Sequence, residues 1–391
     1  MIEFVPDLRQ SRRNFLVSMG AAGALLSGCA SRVTAVVGQS EVDSRVEQII
    51  GDTISVDMHN HVAQPSFAKT AADAKPDPGG DLAGEMRKSG FTAVCVTHAI
   101  NAYRTPQLGD WYQYHLQLLA YTDRLLAASS MRRALTVSDL RAAHRARAPV
   151  VIQASEGGQW IEGRIDRVAE AYGRGLRHLQ LLHQMDDIAA PLGGVQQNTQ
   201  TAPANIAELT AVGADVIREC NRLGIVVDMA HGNEATVLAA IKASSRPLVV
   251  SHTALDTPLA RSADIYKGNP GLAARLVSVN YAKAVADAGG IVGIWRLLPT
   301  LKDYVTAIRQ MADVAGVDHT GIGTDTSLMP PPPPNAAGLT LTNKTWPDQT
   351  SGFVYSLAQE MLNQGFRPDE ISKIAGGNYL RLFGMATSSR G

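Results

Sequence analysis

The chain predicts an α/β fold, a (β/α)8 barrel with C-terminal helical closure. Three observations carry this expectation. Short β-branched runs alternate with amphipathic helical stretches, residues able to hold a metal recur directly after those runs, and the roughly 360 residues behind the N-terminal leader contain no second long apolar segment. Alternation of this kind demands a parallel sheet covered by helices. Eight repeats favour closure into a barrel over a doubly wound open sheet, the structural alternative. No internal sequence repeat is evident.

The leader comes first. Ser11-Arg12-Arg13-Asn14-Phe15-Leu16 and the apolar stretch running on to Leu26 read as a twin-arginine export signal. That stretch is too short for a spanning helix, which needs about 20 residues. Leu26-Ser27-Gly28-Cys29 has the form of a bacterial lipobox, so residues 1–28 are expected to be removed and Cys29 lipidated, with residues 29–50 a tether and 51–391 the barrel. The location expected is the cell envelope, with the membrane touched only through the lipid.

Strands are expected at 54–56, 91–96, 150–154, 176–181, 224–228, 247–251, 290–294 and 319–323, each a short run rich in Val, Ile or Leu. Helices are expected between them at 81–89, 161–172, 206–223, 234–244, 278–288 and 302–314, where apolar residues recur at helical spacing. Five prolines at 330–334 follow the last strand and read as a stiff mouth loop in polyproline II form. Helices at 354–383 close the chain, with a tight turn at Gly376-Gly377-Asn378.

Composition excludes several function classes. Lys+Arg and Asp+Glu are equal at 36 each, so no global field favours nucleic acid or an anionic membrane. Aromatic content of 5% argues against an aromatic-lined polysaccharide or single-strand cleft. Of three cysteines, Cys95 falls in a strand and Cys220 on a helix, and both are expected to be buried thiols rather than a disulfide or metal pair.

In a parallel barrel the carboxyl ends of all strands share one mouth, so residues far apart in sequence can meet there. His59-Asn60-His61 follows the first strand, and Glu156 follows the third in Ser155-Glu156-Gly157-Gly158. His183 follows the fourth strand, His231 the fifth, His252 the sixth and Asp325 the eighth. These candidates include five of the ten histidines. Histidine and carboxylate are the ligands of catalytic zinc, and His59 and His61, one residue apart on a strand, share a face and can converge on one cation. His98 also lies at the mouth, without a role. His115 and His144 fall in helical stretches, and His178 and His319 begin strands at the opposite face. Asp228 reads as a carboxylate supporting His231. The glycines at 157–158 and 376–377 fit tight turns and match no nucleotide fingerprint.

From residue 54 to 383 this pattern resembles the renal or membrane dipeptidases, peptidase family M19, amidohydrolase-like barrels. The pieces that carry the resemblance are Ser155-Glu156-Gly157-Gly158, the stretch 221–231 ending in Asp228-Met229-Ala230-His231, Ser251-His252, the stretch 317–325 ending in Gly323-Thr324-Asp325, and Gly376-Gly377-Asn378-Tyr379-Leu380-Arg381. The resemblance implies two zinc ions bridged by Glu156, one completed by His59 and His61 and the other by His231 and His252. It implies Asp325 as the acid/base residue beside a bridging water or hydroxide, His183 at the scissile carbonyl or its oxyanion, and Arg275 on the substrate's terminal carboxylate. A homodimer is implied too. The chain departs from the family at His61, where the family has aspartate, and at Leu276, where an asparagine follows the arginine. Losing one carboxylate removes a negative charge, so that ion is held differently and its water made more acidic.

Three functions follow. The first is a binuclear zinc dipeptidase acting on small dipeptides, including those with a C-terminal D-residue. The second is another hydrolase on the same centre, an N-acyl-amino-acid amidase, lactonase or β-lactam hydrolase, left open by His61 and by the loop at 62–80 that shapes the pocket. The third is a non-catalytic envelope lipoprotein, which the full ligand set argues against.

Overall fold

The computed structural model describes residues 43–70, 77, 79–100, 107–183, 191–196, 206–329 and 340–388. The leader with its lipobox cysteine Cys29 and the proline run at 330–334 lie outside the described residues, as does part of the 62–80 loop. Nine parallel strands form one sheet: β1 Val56–His61, β2 Ala93–Ala99, β3 Val150–Glu156, β4 Leu176–Gln180, β5 Val226–Asp228, β6 Val249–Thr253, β7 Ile291–Ile294, β8 Thr320–Ile322 and β9 Thr326–Ser327. Neighbours in the sheet are neighbours in sequence from β1 to β8. β8 pairs with β7 while β9, three residues further on, pairs with β1, so the eighth strand closes the ring in two pieces. The sheet is the expected (β/α)8 barrel.

Two apolar clusters line its two faces. Val56, Met58, Cys95, Ile152, Ala154, Val226, Val249 and Ile291 fill the interior, and Tyr379, Leu382 and Phe383 of the C-terminal helix Asn378–Thr387 plug its floor. Val94, Val96, Val151, Leu179, Val227, Val250 and Val292 pack outward under the helices. Alternation along each strand thus separates floor from shell. The floor is set by a close approach: Gly376 lies so near β1 that a Cβ would run into the Ile54 carbonyl oxygen. The expected tight turn there is instead a π-helical stretch, Lys373–Gly377, broken at Gly376.

The helices start where capping residues allow. Asp81, Thr136, Thr210, Asn233, Ser278 and Thr300 each accept a hydrogen bond from a first-turn amide, and Thr136 forms a reciprocal capping box with Asp139. Thr210 explains why the helix expected from 206 begins at Ala211. The helix expected at 161–172 is a 3-10 turn, Gln159–Ile161, followed by Asp166–Gly173. Helices Asp110–Ala128 and Val137–Ala146 connect β2 to β3. Cys95 and Cys220 are buried free thiols, as expected.

One expectation is corrected. Residues 29–50 were expected to be a tether, but a helix spans Ser44–Asp52 with Val46 and Ile49 buried, so folded structure precedes residue 51. His178 lies within β4 on the floor side of the barrel, its ring against Tyr379 Oη at 2.9 Å and Asp228 Oδ2 at 3.1 Å.

Candidate metal centre

Two β-bulges aim the histidines. Along β1, Val56 and Met58 point inward, and strict alternation would send His59 and His61 outward. Three residue steps from Asp57 to Asn60 face only two on β2, Val94 to Val96, and the extra residue reverses the alternation. β6 does the same, with Val250 to Thr253 against Val292 to Ile294, so His252 turns inward. Glu156 needs no such device: it continues the inward series of Val150, Ile152 and Ala154.

The result is a buried cluster around one oxygen. Glu156 Oε1 lies 3.7 Å from His59 Nε2, 3.3 Å from His183 Nε2, 3.3 Å from His231 Nε2 and 3.9 Å from His252 Nε2. His59 Nε2 meets His61 Nε2 at 3.3 Å, and His231 Nε2 meets His252 Nε2 at 3.1 Å. His61 Nε2 also lies 3.2 Å from Asp325 Oδ1. Three groups have ligand atoms within 4.8 Å of one another: His59, Glu156 and His252; His59, His61 and Asp325; Glu156, His183 and His231. All six of the expected metal-site and acid/base residues, and His183, are therefore in one place.

This donor set fits divalent cations. Burial holds His59, His231 and His252 well below the ordinary imidazole pKa, with neighbouring positive charge adding to the effect, so they present lone pairs rather than protons. Burial and the adjacent Arg275 bring His183 to about 3. Lone pairs facing lone pairs around a buried carboxylate are costly until a cation lies between them. Burial lifts Glu156 to about 7, opposed by His61. His61 is the exception: burial works against its charge, but the hydrogen bond to Asp325 and the charges of Glu156 and Asp325 raise it to about 8. Asp325 stays below the usual carboxyl range despite burial because His61 faces it. The Thr97 carbonyl, 3.1 Å from His61 Nδ1, accepts a hydrogen bond from that nitrogen and directs Nε2 to the cluster.

Arg275 is buried at 3% exposure and burial lowers its pKa to about 10, so it remains cationic at neutral pH. Its Nη1 lies 2.7 Å from His231 Nε2, its Nε donates to Gln196 at 3.2 Å, and its guanidinium carbon sits 4.9 Å from the centre of the Trp295 ring. His98 is brought away from the cluster: it points outward from β2 to Thr122 Oγ1 at 2.9 Å. His115 stacks on Trp160 at 3.9 Å.

Sequence reasoning nominated nothing after the seventh strand, yet Trp295 and Arg296 stand there, with Arg296 Nε donating to the Asp325 carbonyl at 3.0 Å. The strand-end logic that found His252 would have found both. His231 and Asp325 also have φ of +72° and +54°, conformations that non-glycine residues adopt rarely and that gather at functional sites.

Comparison with known proteins agrees with this geometry. A stretch of 218 residues is 26% identical to dipeptidase verJ of Clonostachys rogersoniana, covering 54% of this chain and 48% of that protein, so the match spans about half of the relative's length. Among solved structures, an amidohydrolase from Pseudomonas aeruginosa is 19% identical with a TM-score of 0.67, covering 88% of this chain and 99% of that one. A Rhodobacter sphaeroides metallopeptidase liganded with a phosphinate mimic of the dipeptide L-Ala-D-Ala is 19% identical with a TM-score of 0.60, covering 86% of this chain and all of that one (100%). At these identities the structures establish a shared fold. Residues 43–390 match the family model of membrane dipeptidase, peptidase family M19, and the chain belongs to that family.

Proposed function

We propose that this protein is a binuclear zinc dipeptidase that hydrolyses the amide bond of small dipeptides, including those with a C-terminal D-residue. One observation carries the reading: four imidazole nitrogens lie within 3.9 Å of the buried Glu156 Oε1. In it His59 and His61 hold one ion, His231 and His252 the other, and Glu156 both. Zinc bound there supplies an acidified water and polarises the amide carbonyl. Asp325, ionised beside His61, takes a proton at its carboxylate and passes it to the leaving amine. His183 stabilises the oxyanion.

Arg275 holds the substrate's free carboxylate through its planar fork. His231 Nε2 has one lone pair, now facing Arg275 Nη1; were it to hold an ion, Arg275 Nη1 would be left for the substrate. The dipeptide-mimic complex of the Rhodobacter relative supports this substrate class. A panel of L,L- and L,D-dipeptides, N-acyl amino acids and lactones, assayed with zinc and after chelation, tests the reading. Dipeptide turnover that vanishes with the metal is expected; turnover confined to lactones or acyl amino acids moves the assignment to the second reading. That alternative is favoured by His61, whose imidazole leaves the centre one negative charge poorer than the family's carboxylate. Arg275→Ala is expected to raise KM for dipeptides about 30-fold or more, near 2 kcal/mol, with turnover of uncharged esters intact; unchanged dipeptide KM removes that role.

The same reading places the protein in the cell envelope by twin-arginine export, anchored through lipidated Cys29, as a homodimer. An intact mass showing a diacylglyceryl cysteine as first residue, and light scattering at twice the chain mass, are the expected results; an unmodified or unprocessed N-terminus and a monomer mass contradict them.

A further inference from the structure

Two buried aspartates repeat one arrangement beneath the two halves of the centre. Asp57 on β1 lies two residues before His59, and Asp228 at the end of β5 lies three before His231. Asp57 Oδ1 accepts the backbone N–H of His59 at 3.2 Å and of Thr324 at 2.9 Å, while Oδ2 accepts Asn60 Nδ2 at 2.9 Å and Thr324 Oγ1 at 2.6 Å. Asp228 Oδ1 accepts the backbone N–H of Ala230 at 2.9 Å and of Ser251 at 3.0 Å, and Oδ2 faces His178 Nε2 at 3.1 Å. In each case a single oxygen joins two amides. One belongs to the residue two positions ahead in the chain; the other belongs to the residue immediately before a site residue on a neighbouring segment, Asp325 after Thr324 and His252 after Ser251.

Neither aspartate lies among the groups of converging ligand atoms, and both are fully buried. Carboxylate-to-amide bonds of this kind are stronger than neutral ones and fix direction as well as distance. Each also stands next to a residue in a left-handed conformation, Asp325 for the first and His231 for the second, which persists only where its surroundings hold it. The bulges in β1 and β6 fall on the same segments. A bulged strand lacks the regular ladder that would otherwise set its spacing from its neighbour, and the aspartate supplies that spacing.

We propose that Asp57 and Asp228 are positioning residues, each fixing the separation of one pair of site residues: Asp57 for His59 and Asp325, Asp228 for His231 and His252. The inference rests on the two-ion reading above. It assigns each aspartate to one ion, which a general contribution to barrel stability does not.

Asp57→Asn turns an amide toward Asn60 Nδ2, donor against donor, and Asp228→Asn weakens the oxygen shared by two backbone amides or its partner at His178. The full chain and each variant are stripped of metal, and the two zinc dissociation constants are measured by chelator competition, with cobalt absorption spectra and metal-free Tm alongside. His61→Ala and His252→Ala serve as references that identify which ion is which. The expected result is a loss of about 10- to 100-fold in affinity for one ion in each aspartate variant. Asp57→Asn weakens the ion lost in His61→Ala, and Asp228→Asn the ion lost in His252→Ala, each with an altered cobalt spectrum. Should either variant fail to fold, Thr324→Val, which removes one donor to Asp57, and His178→Gln, which alters the partner of Asp228, carry the same comparison. A lowered Tm with both dissociation constants and the cobalt spectrum unchanged overturns the positioning role, as does equal weakening of both ions by either variant. A parent chain that binds fewer than two ions instead contradicts the two-ion reading itself.

Discussion

At the scale of single residues, His61 decides how the centre responds to pH. Its pKa rises from 6.5 to about 8 through Asp325 and Glu156. The sign follows directly: in the metal-free protein the His61–Asp325 contact stabilises the fold fully below about pH 6.5 and is lost as pH rises through about 8. An ion bound at Nε2 must displace that proton, so apparent affinity at this position falls about tenfold per pH unit from 8 to 7, and more steeply below about 7, where Glu156 also takes up a proton. Zinc competition across this range measures it, and His61→Asp is expected to flatten the dependence; an affinity independent of pH in the parent chain contradicts the assignment. The residue types at 59, 61, 156, 183, 231, 252 and 325 were legible because strand-end histidines and carboxylates are scarce and the barrel gathers them. Asp57 was not, because its part is played through backbone amides that no side-chain pattern announces.

At the scale of elements, all eight expected strands form, and bulges interrupt the pairing of β1 with β2 and of β6 with β7. The sequence runs apolar at 56 and 58 and then histidine at 59 and 61, two alternations out of step by one residue. That mismatch is itself the signature of an inserted residue, but only pairing with β2 shows where it goes. β9 was missed because two residues carry no periodicity. Helix starts were missed where a cap, not an apolar residue, marks the boundary, as at Thr210. Thr136→Ala, which removes one half of a capping box, is expected to cost about 1 kcal/mol in thermal or denaturant unfolding; an unchanged midpoint contradicts a role for that cap.

At the scale of the whole molecule, the barrel is sealed at its floor by the C-terminal helix and buttressed by the helix Ser44–Asp52, while the centre occupies the opposite mouth. Gly376 is the point of closest approach between floor and barrel, so Gly376→Ala is expected to lose about 1–3 kcal/mol through overpacking, read as a fall in Tm. A chain starting at Asp43 serves as the reference. One starting at Thr53 forfeits the burial of Val46 and Ile49, each about 1.5–3 kcal/mol; equal midpoints for the two would show that the helix is dispensable. The start of the folded body was illegible in the sequence because a nine-residue helix has too few apolar positions to stand out.

The central claim is that Glu156 is shared by two metal ions. Anomalous scattering from crystals of the zinc-loaded protein, collected on both sides of the zinc edge, tests it most directly. The account predicts two peaks flanking the Glu156 carboxylate, one beside His59 and His61 and the other beside His231 and His252; a single peak, or none within reach of that carboxylate, contradicts it.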